Sequence, residues 1–284
     1  MNTKEELIDR LIDLSFAEDI GDGDHTTLST IGPDAMGRQH LLVKEEGILA
    51  GVDIARRVFE KFDPSLKMTV FIEDGAHVKP GDIAFVVEGP VRSLLQTERL
   101  MLNIMQRMSG IATMTAKYQS RLEGLKCKVL DTRKTTPGMR ILEKEAVRIG
   151  GGSNHRIGLF DMILIKDNHV DFAGGIPQAI ASAKAYCKEK GKNLKIEQEV
   201  RNTEEIRQAL AAGVDRIMLD NFSVERTAEA VKLVRSLDPS VEIESSGGIT
   251  IDTLRSYGET GVDFISVGAL THSVKGLDLS FKAC

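Results

Sequence analysis

The sequence predicts an α/β fold divided into two unequal domains. Three observations carry this. The first third of the chain mixes helix and strand patterns, the remainder alternates short β-rich runs with helical stretches, and apolar residues make up 42% of the 284 positions, enough for a core. At roughly 100 to 200 residues per domain, this length fits one barrel-sized domain or two smaller ones.

The elements follow in order. Glu5 to Phe16 places Leu7, Ile8, Leu11, Ile12 and Leu14 at helical spacing, whereas Gln39 to Gly47 and Met68 to Ile72 read as strands around a helix from Val52 to Phe62. Pro80-Gly81 marks a turn into an apolar strand. That turn is similar to the one in biotinyl and lipoyl carrier modules, but Lys79 precedes the proline instead of sitting at a hairpin tip, so a plain sheet turn is expected. A long Met- and Leu-rich helix is expected from Leu94 to Leu122. Strands are then expected at Lys128 to Leu130, Met162 to Ile165, Lys195 to Val200, Arg216 to Leu219, Val241 to Ile243 and Phe264 to Val267. Helices fall at Arg140 to Ile149, Pro177 to Lys190, Thr203 to Ala212, Val224 to Leu237 and Thr250 to Tyr257. Strand and helix repeated this way give a parallel sheet with right-handed crossovers. Six strands suffice for most of a (β/α) barrel, and a doubly wound open sheet is the alternative.

Charge narrows the partners. With 37 Lys and Arg against 42 Asp and Glu, the net charge of -5 provides no basic field for nucleic acid, so any anion site must be local. The three cysteines form no CxxC pair, which argues against a disulfide framework or zinc cluster. No run approaches the ~18 apolar residues of a membrane span, and the N-terminus reads as an acidic amphipathic helix without a signal-peptide core. A cytoplasmic location is expected.

Barrel enzymes work at the carboxyl ends of their strands. Here those ends carry Asp131-Thr-Arg-Lys-Thr-Thr-Pro-Gly138, Lys166-Asp-Asn-His169, Glu197 and Glu199, Asp220-Asn221, Glu244-Ser-Ser-Gly-Gly248 and Gly268-Ala-Leu-Thr-His272. Arg133 and Lys134 repel one another unless an anion neutralises both. A solvated basic loop explains them too, but Arg156, Lys166 and possible support from Arg99 favour an acceptor of carboxylates and phosphates. The last two Gly-rich turns suit a phosphate held on backbone N–H groups. Glu199 and Asp220 are acids in this cationic mouth, suited to magnesium, ribose hydroxyls or a positively charged transition state, with salt-bridging to arginines as the plainer role. Glu197 alternates with Glu199 and shares its face, and Glu199 is preferred because it lies nearer the carboxyl end. His155, beside Arg156, is a candidate donor to a substrate carboxylate or a structural loop histidine.

Together these motifs, with Gly150-Gly-Gly-Ser-Asn-His-Arg-Ile-Gly-Leu159, Leu164 to His169, Met218-Leu-Asp-Asn-Phe222, Glu18 to Asp24, Glu98-Arg99 and Gln106 to Thr113, resemble the quinolinate phosphoribosyltransferase family over nearly the whole chain. The resemblance implies an N-terminal α/β sandwich plus a C-terminal open, incomplete (β/α) barrel, with boundaries at 1–115, joined by 272–284, and 116–271. It implies condensation of quinolinate with phosphoribosyl pyrophosphate to nicotinate mononucleotide, pyrophosphate and CO2 in NAD biosynthesis, with Mg2+. It further implies a homodimer, with higher assembly open, in which the sandwich of one subunit covers the barrel mouth of the other.

Residue by residue, the resemblance puts quinolinate on Arg99 from across the dimer and on Arg133, His155 and Arg156. Lys134 and Lys166 match basic residues near both substrates, Glu199 and Asp220 the acids around ribose and metal, and Ser246, Gly247 and Gly268 the phosphate loops. The catalytic group so implied is Lys134, Lys166, Glu199 and Asp220. Two departures stand out: Gln198 and His25 occupy positions usually apolar in the family. Neither removes a catalytic group, and Gln198 should point away from the mouth if Glu199 points in.

Three rivals remain. A Schiff-base aldolase would use Lys166 as nucleophile, a related phosphoribosyltransferase would act on a different aromatic acid, and a metabolite-binding protein would hold the anions without releasing pyrophosphate.

Overall fold

The computed structural model describes residues 3–284. They form two compact units, one of residues 3–116, 135–151 and 269–284 and the other of residues 117–134 and 152–268. Elements are numbered along the chain.

The first unit opens with α1 (Lys4–Ile20) and α2 (His25–Thr30). Thr3 starts α1 through a capping box: its hydroxyl accepts the Glu6 N–H at 3.1 Å, and the Glu6 carboxylate accepts the Thr3 N–H at 2.9 Å. His25, the first residue of α2, is exposed. Next come β1 (Met36–Val43), β2 (Gly47–Ile48), α3 (Val52–Phe62), β3 (Lys67–Val70), β4 (His77–Val78), β5 (Ile83–Pro90) and α4 (Val91–Arg121), whose last residues belong to the second unit. The main sheet is antiparallel, in the order β12-β1-β5-β3. Its edge β12 (Leu279–Ala283) comes from the far end of the chain, so the C-terminus is tied into the N-terminal sheet. Val52, Ala55, Val58 and Phe59 form the buried face of α3. Phe59, Phe85 and Phe281 meet in the core with ring centroids 6.0–6.3 Å apart. The helix α5 (Arg140–Ile149) packs its end on α4: a Cβ on Gly150 would overlap the Ala112 backbone, so this position requires glycine. Buried Glu143 on α5 pairs with Arg107 Nη2 at 2.6 Å, and α11 (Ala269–His272) leads into the C-terminal tail.

The second unit contains β6 (Lys128–Leu130), β7 (Ile163–Ile165), α6 (Asp167–Ala173), α7 (Ile176–Lys190), β8 (Ile196–Val200), α8 (Thr203–Ala212), β9 (Arg216–Asp220), α9 (Val224–Leu237), β10 (Glu242–Ser246), α10 (Leu254–Gly258) and β11 (Phe264–Ser266). All six strands are parallel, in the order β6-β11-β10-β9-β8-β7. No ladder joins β6 to β7; instead Ser153 makes a single parallel bridge to Leu130. The result is the open, incomplete barrel, with crossover helices started by side-chain caps such as Asn202 on α8 and Ser223 on α9. The strands fall where the β-rich runs predict them. The short α6 was not expected, because seven residues are too few to show a helical period.

Candidate active site

Side-chain contacts and burial divide the polar residues of the barrel into two tiers. On β8, Glu197 and Glu199 face one side and Gln198 the other. Glu197 pairs in register with Arg216, and Arg216 with Glu242; two residues further on, Glu199 and Glu244 both pair with Met218, and Asp220 pairs with Ser246. Gln198 is fully buried, its amide donating to the Glu199 carbonyl at 2.7 Å.

The lower tier is sealed. His155 Nε2 lies 2.9 Å from the Glu197 carboxylate and 3.4 Å from that of Glu244, and both carboxylates are 0% exposed. Arg216 reaches Glu244 at 3.2 Å and Glu242 at 2.8 Å, with its guanidinium 4.4 Å from the Phe264 ring centroid. Burial alone would discharge His155, but Glu197 and Glu244 outweigh it and raise the imidazole to about 9. The Arg156 N–H, 2.7 Å from Nδ1, opposes this because it needs a lone pair there. Burial in turn raises Glu197 to about 7, with the charge of Glu244 adding to it and His155 and Arg216 pulling it back. Asp131, fully buried just after β6, accepts the His155 backbone N–H at 2.9 Å and the Asn154 side-chain amide at 2.5 Å.

The upper tier is open. Lys166 stands directly after β7, half-exposed, with Nζ 3.7 Å from the Glu199 carboxylate. Burial raises the Glu199 pKa; Lys166 pulls it down, while Asp220 and Asp167 push it up again. Asp220 ends β9, where its carboxylate accepts the Asn221 side-chain amide at 2.7 Å. Asn221 adopts a left-handed φ of 55° and donates its backbone N–H to the Ser246 carbonyl at 2.9 Å. A Cβ on Gly247, whose φ is 100°, would overlap the Asn221 side chain, so the turns after β9 and β10 interlock only with glycine there. Gly268 stands two residues beyond β11.

The Arg156 pKa is lowered from its ordinary value by burial and then by the charge of Arg133. Arg133 and Lys134 are exposed on their loop. The second unit therefore brings together Lys166 with Glu199 and Asp220 with Ser246, and the charges of Asp220 and Arg133 bear on Glu199 and Arg156 respectively. Arg99 is exposed on α4 of the first unit. Sequence reasoning assigned no role to Asp131, Arg216, Glu244 or Asn221. The pairing of Glu244 with Arg216 leaves no local signal, since it depends on the register between β9 and β10.

A parallel barrel whose strand ends present converging cations, paired acids and glycine turns defines an enzyme acting on small polyanions. Residues 24–109 match the family model for the quinolinate phosphoribosyl transferase N-terminal domain, and residues 111–282 match that for the C-terminal domain. The chain is 45% identical to the chloroplastic nicotinate-nucleotide pyrophosphorylase (carboxylating) of Arabidopsis thaliana, covering 96% of this chain and 81% of the relative. It is 42% identical to the probable nicotinate-nucleotide pyrophosphorylase (carboxylating) of Bacillus subtilis, over 95% of this chain and 91% of that one. A solved nicotinate-nucleotide pyrophosphorylase from Francisella tularensis superposes with a TM-score of 0.91 at 42% identity, covering 100% of this chain and 98% of that chain. The chain belongs to the quinolinate phosphoribosyltransferase family. It is a phosphoribosyltransferase that joins quinolinate to phosphoribosyl pyrophosphate with decarboxylation, a step of NAD biosynthesis.

Proposed function

We propose that the upper tier performs this reaction, with Lys134, Lys166, Glu199 and Asp220 as its catalytic group. The observation that carries the reading is the 3.7 Å pair of Lys166 and Glu199 at adjacent strand ends, half-open to the mouth. Breaking the ribose C1–pyrophosphate bond builds negative charge on the leaving group and oxocarbenium character on the sugar. Lys134, Lys166 and the backbone N–H groups around Ser246, Gly247 and Gly268 meet the first, and Glu199 and Asp220 meet the second. Arg133 and Arg156 hold the carboxylates of quinolinate so that its ring nitrogen faces C1, while His155, whose ring nitrogens face Glu197, Glu244 and the Arg156 backbone N–H, supports that loop from within the barrel instead of touching the acid. Once bonded, that nitrogen is positive and accepts the electron pair released as the adjacent carboxylate leaves as CO2. No side chain need act as nucleophile.

Glu199 and Asp220 would hold Mg2+, since they offer carboxylate oxygens, the donors this cation takes, at the ends of adjacent strands. When bound, the metal neutralises pyrophosphate charge. By contrast, the His155, Glu197 and Glu244 group already has the Arg216 guanidinium beside it. Arg99 is assigned to the mouth of a partner subunit, which makes the active unit a homodimer, with higher assembly open. A cytoplasmic location accords with the lack, among the described residues, of any helix long and apolar enough to cross a membrane. The test is to incubate purified protein with quinolinate, phosphoribosyl pyrophosphate and Mg2+ and to look for nicotinate mononucleotide. Its formation, with other aromatic acids inert, supports the reading; pyrophosphate release only with another acid contradicts it.

A further inference from the structure

The lower tier contains charged groups that the mechanism leaves unused. Glu197 and Glu244 are 0% exposed, and the Arg216 side chain is 9% exposed. A His155 nitrogen and the two carboxylates lie within 4.8 Å of one another, a spacing that a metal ion would also satisfy. Arg216 Nη1 is already 3.2 Å from Glu244, however, so a guanidinium supplies the positive charge and the group is an ion-pair network.

This network acts on a short piece of chain. Inside the barrel, the Glu197 and Glu244 carboxylates face His155 Nε2 at 2.9 and 3.4 Å; just after β6, Asp131 accepts the His155 backbone N–H at 2.9 Å. The next residue is Arg156, whose own N–H points at His155 Nδ1 at 2.7 Å, and whose guanidinium lies 3.4 Å from the Met162 carbonyl. Downstream, Asp161 accepts the Ile157 and Gly158 N–H groups at 2.7 and 2.8 Å. The segment carrying Arg156 has one parallel bridge, at Ser153, in place of a sheet ladder. Its position depends on these side-chain anchors.

We propose that Glu197 and Glu244 are positioning residues for quinolinate: by fixing His155 from within the barrel they set where Arg156 presents its guanidinium. The proposal rests on the assignment of Arg156 to quinolinate. Bidentate recognition of a carboxylate is sensitive to displacements well below a bond length, so a loosened His155 should weaken capture of the acid without altering the sugar-phosphate chemistry above it.

Glu197→Gln keeps the side-chain shape and removes the charge. In steady-state kinetics of the full-length enzyme, it should raise KM for quinolinate about tenfold, with KM for phosphoribosyl pyrophosphate and kcat changed less than about twofold. In an Arg156→Ala background the same substitution should add less than about twofold, because the guanidinium it positions is gone. A full effect in both backgrounds, or equal losses for both substrates and kcat, overturns the proposal in favour of a general packing role. If Arg156→Ala leaves quinolinate KM unchanged, the assignment of Arg156 itself fails, and the proposal with it. If Arg156→Ala weakens quinolinate while Glu197→Gln does not, only the positioning role fails. Should Glu197→Gln not fold, Glu244→Gln carries the same expectations, since it alters the other carboxylate on the same ring.

Discussion

Glu197 and Glu199 are the same residue type on the same strand and the same face, two positions apart, yet their surroundings differ completely. Glu197 is sealed with a histidine and an arginine close by; Glu199 is 11% exposed along its side chain, beside a half-exposed lysine. One step of the β8 period separates a structural ion pair from a group poised at the mouth. The difference shows that depth in an open barrel, more than residue type, decides whether a carboxylate can meet substrate. Each substitution that follows breaks or sharpens that contrast.

The largest effect is expected in the upper tier. Glu199→Gln or Lys166→Ala should lower kcat by about 10²- to 10³-fold, the usual cost of removing one charge-stabilising group, with quinolinate binding retained. A smaller effect belongs to the cations that capture the acid. Arg133→Ala should weaken quinolinate binding by about ten- to a hundredfold in calorimetry, the cost of a lost charge-assisted contact; unchanged binding would remove Arg133 from the site.

The lower tier should announce itself through pH. His155 is raised in the folded state from 6.5 to about 9, so between those values the native protein holds a proton that the unfolded chain has released. Its contribution is complete below about pH 6.5 and is lost as pH rises through about 9, so urea-unfolding stability should decline across that window. His155→Asn should flatten the decline. The smallest effect lies in the first unit: Thr3→Ala removes the hydroxyl half of the α1 capping box and should cost about 1 kcal/mol in urea unfolding without changing kcat.

Much of this arrangement was legible in the sequence. The six barrel strands show as β-rich runs separated by helical periods, and Lys166, Glu199 and Asp220 stand at strand ends where barrel chemistry is read. The lower tier was not, for a physical reason: the cancellation of Glu197 and Glu244 by Arg216 and His155 depends on the register between β8, β9 and β10, which no local pattern encodes. The Ser153 bridge is a single contact without a strand's alternation. Likewise, β12 pairs with β1 across most of the chain's length, a partnership that the sequence of β12 does not itself declare.

The two-tier account is tested most directly by titrating quinolinate calorimetrically into Glu197→Gln and Glu199→Gln side by side. Weakened binding by the first and near-native binding by the second is the predicted result. The reverse order, or equal loss in both, would contradict it.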